Sequence, residues 1–295
     1  MVIAPFIVSL REGIEAALVI AIMFSYLRKT GREKLNRSII SGTLLAIITS
    51  IGLASVLVVI WGSFEGPMLE VFEGSVVLFA AILLTSMIFW MRKASTNLTT
   101  EIKQSVEERA VGGNLSLPIL AFALVLREGV ELVLFIVALA IQEGYTTFIA
   151  AALGLIFAFF VGLGIYQGSL RVSLKSFFNS TSILLVLFAA GMIAYGIHEL
   201  QEIGFLALGP SELWNINPPL FPDGSYPLLH ENGLIGGLAK ALFGYNGNPS
   251  AIEVIAYVGY ISLILLFYIK TRIQERSNPG HIVVNVELVR ARRVQ

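Results

Sequence analysis

Seven apolar stretches, at residues 3–27, 38–61, 69–91, 115–142, 145–168, 179–205 and 251–270, leave this chain few folds to choose from. Each is long enough to cover the ~30 Å hydrocarbon layer of a bilayer as a helix rising ~1.5 Å per residue. Of the 295 residues, 56% are hydrophobic and only 14% charged, whereas a soluble domain of this size takes roughly a quarter of charged residues. The mean hydropathy of +0.81 agrees, and the expectation is an all-α integral membrane protein of seven transmembrane helices. The apolar N-terminus has no cationic region before Arg11 and runs about 25 residues, so it is expected to be a span and not a cleaved signal. Small residues such as Gly42, Gly52, Gly154, Gly162, Gly164, Gly191 and Gly196 inside the stretches suit close helix packing in lipid.

Charge sets the expected orientation. Five basic residues follow the first stretch (Arg28, Lys29, Arg32, Lys34, Arg37), and Arg92, Lys93, Lys103 and Arg109 follow the third. Arg171 and Lys175 follow the fifth, and Lys270, Arg272, Arg276, Arg290, Arg292 and Arg293 follow the seventh. The alternate loops hold Lys240 alone. Basic loops stay cytoplasmic, which places the N-terminus outside and the C-terminus inside a multi-pass protein of the plasma membrane.

An internal repeat refines this architecture. Residues 9–20 read SLREGIEAALVI and residues 125–136 read VLREGVELVLFI, while FAAILLTSM (79–87) is echoed by FAAGMIAYG (188–196). The first three stretches therefore match the next three. Three crossings per copy make the second enter from the opposite side, an inverted repeat of the kind that places a substrate site at mid-membrane. The expected organisation is a first three-helix repeat over 1–91, a cytoplasmic linker over 92–114 and a second, inverted repeat over 115–205. An external loop over 206–250, one extra C-terminal helix over 251–270 and a cytoplasmic tail over 271–295 complete it, and the end of the tail, HIVVNVELVRARRVQ, alternates as a short strand does.

Each copy of the motif sets three ionisable residues in the middle of an apolar span: Arg11, Glu12 and Glu15, then Arg127, Glu128 and Glu131. Facing lipid, the six would cost on the order of 15 kcal/mol, so they must face one another, water or an ion. Glutamates three apart share a helix face, and Arg and Glu four apart can pair within a helix. Such pairing satisfies one glutamate per copy and leaves a second. Four carboxylates brought together at a helix crossing would repel one another unless protonated or bridged by a multivalent cation. Glu12, Glu15, Glu128 and Glu131 are thus the candidate metal ligands. Arg11 and Arg127 are candidate neutralising or gating groups that yield when a cation arrives. With no cysteine in the chain, disulfides, thiolate sites and iron–sulfur ligation are excluded, and oxygen or imidazole is expected to hold any metal. Carboxylate oxygens without a thioether cluster suit Fe(III), Mn(II), Mg(II) or Ca(II).

A second acidic group lies on the outer side. Glu70 and Glu73 stand at the outer end of the third stretch, and HELQE at that of the sixth supplies His198, Glu199 and Glu202. In all the outer side has ten acids against one lysine, and the cytoplasmic side six acids against seventeen bases. An acidic mouth concentrates cations, so Glu70, Glu73, His198, Glu199 and Glu202 are candidate capture residues.

The paired REGIE and REGVE motifs resemble the REGxE signature of the high-affinity ferric iron permeases, or oxidase-dependent iron transporters. The LTSMIFWM run (84–91), the GIHELQEIG run (196–204) and the FEG triplet (72–74) are similar to that family as well. The resemblance implies import of iron, ferric in form, with the four motif glutamates as ligands and the two arginines as companions. It implies no permanently bound cofactor, iron being the substrate. It also implies a separate ferroxidase or a periplasmic or extracellular iron-delivery protein as partner, because the chain has no haem motif or copper cluster of its own. Some relatives in that family are linked to lead, and ferrous iron and manganese are alternative cargoes. A membrane carboxylate-bridged metal oxidase is the enzymatic alternative, but the motif glutamates lack the histidine at i+3 of helical di-iron sites. A transporter and not an enzyme is therefore expected. Neither a phosphate-binding loop nor a basic nucleic-acid patch is visible, so the lipid bilayer and a metal ion are the expected partners, with no nucleic acid.

Overall fold

A computed structural model of the protein describes residues 3–94, 98–110, 115–167, 174–205 and 209–277. Among these residues every regular element is a helix: α1 (Ile3–Lys29), α2 (Asn36–Trp61), α3 (Pro67–Ala94), α4 (Leu98–Ala110), α5 (Ser116–Glu143), α6 (Thr146–Tyr166), α7 (Leu174–Glu202), α8 (Leu234–Phe243) and α9 (Ala251–Ser277). A single 3-10 turn, Glu33–Leu35, leads into α2. Helices are what a lipid-embedded chain demands, because hydrocarbon offers no partner to a bare N–H or C=O. The segments Glu33–Trp61, Pro67–Trp90, Thr146–Tyr166, Ser180–Glu202 and Ala251–Lys270 are long and apolar enough to cross a membrane. The helices α1 and α5 are of similar length, 27 and 28 residues, and differ by the three ionisable residues each carries within it.

The exterior is apolar. Only 6% of the most apolar window of α2, and of α9, is buried against the rest of the protein. Leu44, Leu45, Ile48 and Ile51 of α2, Phe157, Phe159 and Phe160 of α6, and Leu263 and Leu266 of α9 all stand exposed. In water such a surface invites aggregation, whereas lipid tails solvate it without cost.

The most extensive helix pairings are α1 with α6, α2 with α5 and α3 with α7. Exchanging α1–α2–α3 for α5–α6–α7 swaps the first two pairs and returns the third to itself. The close contacts repeat in the same way. Gly42 of α2 lies against the backbone of Pro118 and Phe122 in α5, and Gly154 of α6 lies against the backbone of Phe6 and Leu10 in α1. No side chain beyond hydrogen fits at either crossing.

Two further helices were not expected. The helix α4 falls within the 92–114 linker, where it turns Ile102 and Val106 into a cluster with Val19, Met23, Leu27, Ile39, Leu117 and Leu120. It thereby covers the end of the α1–α5 pair that carries the basic loops. Within the 206–250 segment, α8 packs against α7 and α1. That segment is knotted by backbone bonds, Leu213 N–H to Pro249 O at 2.8 Å and Ile216 N–H to Gly247 O at 2.9 Å. Glu231 ties it further by accepting from Gly247 N–H at 3.0 Å. Burial raises the affinity of Glu231 for its proton, but the Gly247 N–H, Lys240 and Asn217 outweigh burial and hold its carboxyl below the ordinary value. Residues 281–295, where the sequence suggests a strand, lie outside the described residues, as does Arg171.

Candidate metal site

The motif residues of α1 face inward. Arg11 is fully buried, and so are Glu12 and Glu15 at 1% and 6% exposure. The Arg11 guanidinium reaches three partners at once. Its Nη1 lies 3.2 Å from Glu12 Oε1 and donates a 3.0 Å hydrogen bond to Met87 Sδ of α3, and its Nε lies 3.3 Å from Glu15 Oε1. From α5, Glu128 enters the same space. Glu12, Glu15 and Glu128 each bring a carboxylate oxygen within 4.8 Å of the other two. Glu12 Oε2 and Glu128 Oε2 are buried and accept no hydrogen bond from any described residue. Buried polar oxygens are almost always satisfied, and an ion is a standard explanation where they are not. Three converging carboxylates are a donor set for hard divalent and trivalent cations.

The second copy is arranged differently. Glu131 is not among the three converging acids and instead pairs with Arg127, Nε to Oε1 at 3.0 Å. Arg127 is 40% exposed along its side chain and lies over the indole of Trp90, 3.9 Å from the ring centroid. A cation above an aromatic face is held by the ring quadrupole. The two arginines thus meet the same helix, α3, at positions three residues apart, Met87 and Trp90.

The second acidic group divides in two. His198 Nδ1 is 2.9 Å from Glu253 Oε1, and its Nε2 is 3.2 Å from Glu202 Oε1. Glu253, at the start of α9, is 3% exposed and also accepts from Asn246 Nδ2 at 2.8 Å and Ser250 N–H at 3.2 Å. A carboxylate that accepts from one ring nitrogen orients the other, as in many carboxylate–histidine–metal arrangements. Nearby, Glu73 accepts from Trp61 Nε1 at 2.7 Å, and buried Glu199 hydrogen-bonds to Tyr195. Glu70 lies in the first turn of α3.

Met87, Trp90 and Glu253 are the participants that sequence reasoning did not single out. Met87 and Trp90 sit in the LTSMIFWM run, whose apolar character hides their polar neighbours. Glu253 stands four residues after Pro249 of the 206–250 segment, a place with no motif to mark it.

Apolar helices solvated by lipid, with acids buried among them, define a multi-pass membrane protein. The model of the Iron permease FTR1 family matches residues 2–276, and the chain belongs to that family. It is 35% identical over 269 residues to the ferrous iron permease EfeU of Escherichia coli O6:K15:H31, covering 90% of this chain and 94% of the relative. It is 36% identical over 261 residues to the protein of the same name from Escherichia coli O157:H7, covering 87% and 91%. The ferrous iron permease EfeU of Yersinia pestis is 32% identical over 276 residues, covering 91% and 94%. No solved structure matches the chain. These relatives are named as permeases, not as enzymes.

Proposed function

We propose that this protein imports iron across the plasma membrane, holding the ion between Glu12, Glu15 and Glu128 at mid-membrane. The observation that carries the reading is the convergence of three buried carboxylates in a chain of the iron permease family. The relatives' name adds iron in its ferrous form. Charge balance agrees with that form where Arg11 yields its contacts but stays beside the site: three carboxylates and one guanidinium then leave a formal charge of minus two, which Fe(II) neutralises and Fe(III) overshoots by one. The ferric form implied by the motif resemblance needs one more anion, and Glu131, three residues along α5 from Glu128, is placed to supply it by leaving Arg127.

Counting α1 and α5 as crossings gives seven spans with the N-terminus outside, as the distribution of basic residues favours. The exchange of helix pairs and the matched contacts of Gly42 and Gly154 support an inverted repeat. In this reading the ion displaces Arg11 from the glutamates, and its arrival is coupled to the rearrangement that alternating access requires. Glu70, Glu73, Glu199, Glu202 and His198 gather cations at the outer mouth, with Glu253 fixing the imidazole. A ferroxidase or delivery protein is a separate polypeptide.

Uptake of labelled iron into sealed vesicles tests the proposal. Glu12→Gln and Glu128→Gln are expected to lower uptake by about 100-fold, the upper end of what losing even a supporting residue costs a metal site. Glu131→Gln is expected to lower it less when iron is offered as Fe(II) under ascorbate. Uptake that survives both of the first two substitutions refutes the site.

A further inference from the structure

We propose that Met87 is a ligand for the transported ion, a thioether that joins the carboxylates when Arg11 swings aside and that biases the site toward Fe(II). The inference rests on the transport reading above and adds a donor to its site. Arg11 Nη1 is itself a positively charged group seated between a carboxylate and a sulfur, 3.2 Å from Glu12 Oε1 and 3.0 Å from Met87 Sδ. A metal ion that takes over the place of Nη1 meets the same two atoms. Bringing them to bonding distance requires each to move by about 1 Å, and methionine, with three rotatable bonds, adapts readily.

Ordinary core packing does not account for this placement. Met87 is 3% exposed in a cluster of apolar neighbours that includes Leu84, Ile88 and Phe188. Within that cluster its sulfur is the atom turned to the buried guanidinium of Arg11. The choice of donor has chemical content: oxygen-only sites suit Mg(II), Ca(II) and Mn(II), while a thioether adds affinity for softer ions. Fe(II) is softer than Fe(III) or Mg(II), so one sulfur among three carboxylates discriminates where carboxylates alone do not. The expectation that oxygen or imidazole alone holds the metal is then too narrow by one ligand.

The chain itself supplies a clean test. It has six methionines and no cysteine, so any protein sulfur bound to iron is a thioether. X-ray absorption at the iron edge on the full-length, Fe(II)-loaded protein in sulfur-free detergent and buffer is expected to show a sulfur neighbour beside oxygen. In Met87→Leu, a swap of similar volume, the sulfur contribution is expected to vanish while oxygen remains. In vesicles, Mn(II) is expected to compete with Fe(II) about tenfold better in Met87→Leu than in the wild type, the lower end of what losing a supporting ligand costs. A wild-type spectrum without sulfur overturns the proposal, as does a Met87→Leu spectrum that keeps it or an unchanged Mn(II) competition. Should the variant not fold, a wild-type spectrum without sulfur still overturns the proposal, and Met87→Ile repeats the substitution. A sulfur signal in a protein whose vesicles accumulate no iron refutes the transport reading and leaves the ligand assignment standing.

Discussion

Arg11 and Arg127 hold equivalent places in a repeated five-residue motif, yet the first is fully buried and the second 40% exposed. Arg11 reaches Glu12, Glu15 and Met87 together, a geometry that the planar fork of guanidinium permits and a compact ammonium does not. Arg11→Lys keeps the charge but loses the fork, and is therefore expected to destabilise the protein by about 1–3 kcal/mol, the cost of leaving a buried polar partner unsatisfied. Arg127→Lys, in an exposed pair, is expected to cost about 0–1 kcal/mol. Thermal unfolding in detergent measures the difference, and equal midpoints for the two variants would contradict it. Both are expected to change the pH profile of uptake if the arginines yield to the ion, and full transport with an unchanged profile in both would end the switch role. Much of this site is legible in sequence, because six ionisable residues inside apolar spans cannot be incidental. What is not legible is the unequal treatment of the copies. Two near-identical motifs give no hint that Glu131 stays with Arg127 while its counterpart Glu15 joins the cluster. That depends on Met87 and Trp90, residues of a third helix that an apolar run conceals.

At the scale of elements, hydropathy located the seven long helices to within three residues at every end but two, since a span of apolar residues in lipid has little choice but to be helical; α7 begins five residues earlier and α9 ends seven later than the apolar stretches. It missed α4 and α8. The first has a polar composition, and among its described side chains the buried ones are Ile102 and Val106, four apart and too sparse a stripe to stand out. The second, LIGGLAKALF, is only ten residues long and resembles the apolar loop around it. Packing between elements turns on close backbone approach. A Cβ at position 154 would come within 2.6 Å of Phe6 O and nearer still to Ser9 Oγ, whereas one at position 52 meets nothing within 4 Å. Gly154→Ala is expected to destabilise the protein by about 1–3 kcal/mol through overpacking. Gly52→Ala is expected to be neutral or to stabilise by up to about 1 kcal/mol through helix propensity. A shared drop in unfolding temperature would show that glycine matters here for some reason other than the crossing.

For the whole molecule, the lack of cysteine makes topology directly measurable. Ser63, after α2, and Thr30, after α1, are both exposed and fall on opposite sides in the orientation proposed here. Ser63→Cys in intact cells is expected to react with a membrane-impermeant maleimide, and Thr30→Cys only after permeabilisation. The reverse pattern would invert the protein. The uneven burial of the two arginines has a consequence at this scale. In the alternating-access reading proposed above, a carrier whose halves share one motif has two ground states, related by giving each half the conformation of the other. The state described here has Arg11 sealed and Arg127 exposed; its twin has Arg127 sealed and Arg11 exposed. In that reading, each ~1.4 kcal/mol of preferential binding shifts the ratio of the two states tenfold. On the proposed mechanism, the broken symmetry of one arginine pair would be the record of which of two interchangeable shapes the protein occupies.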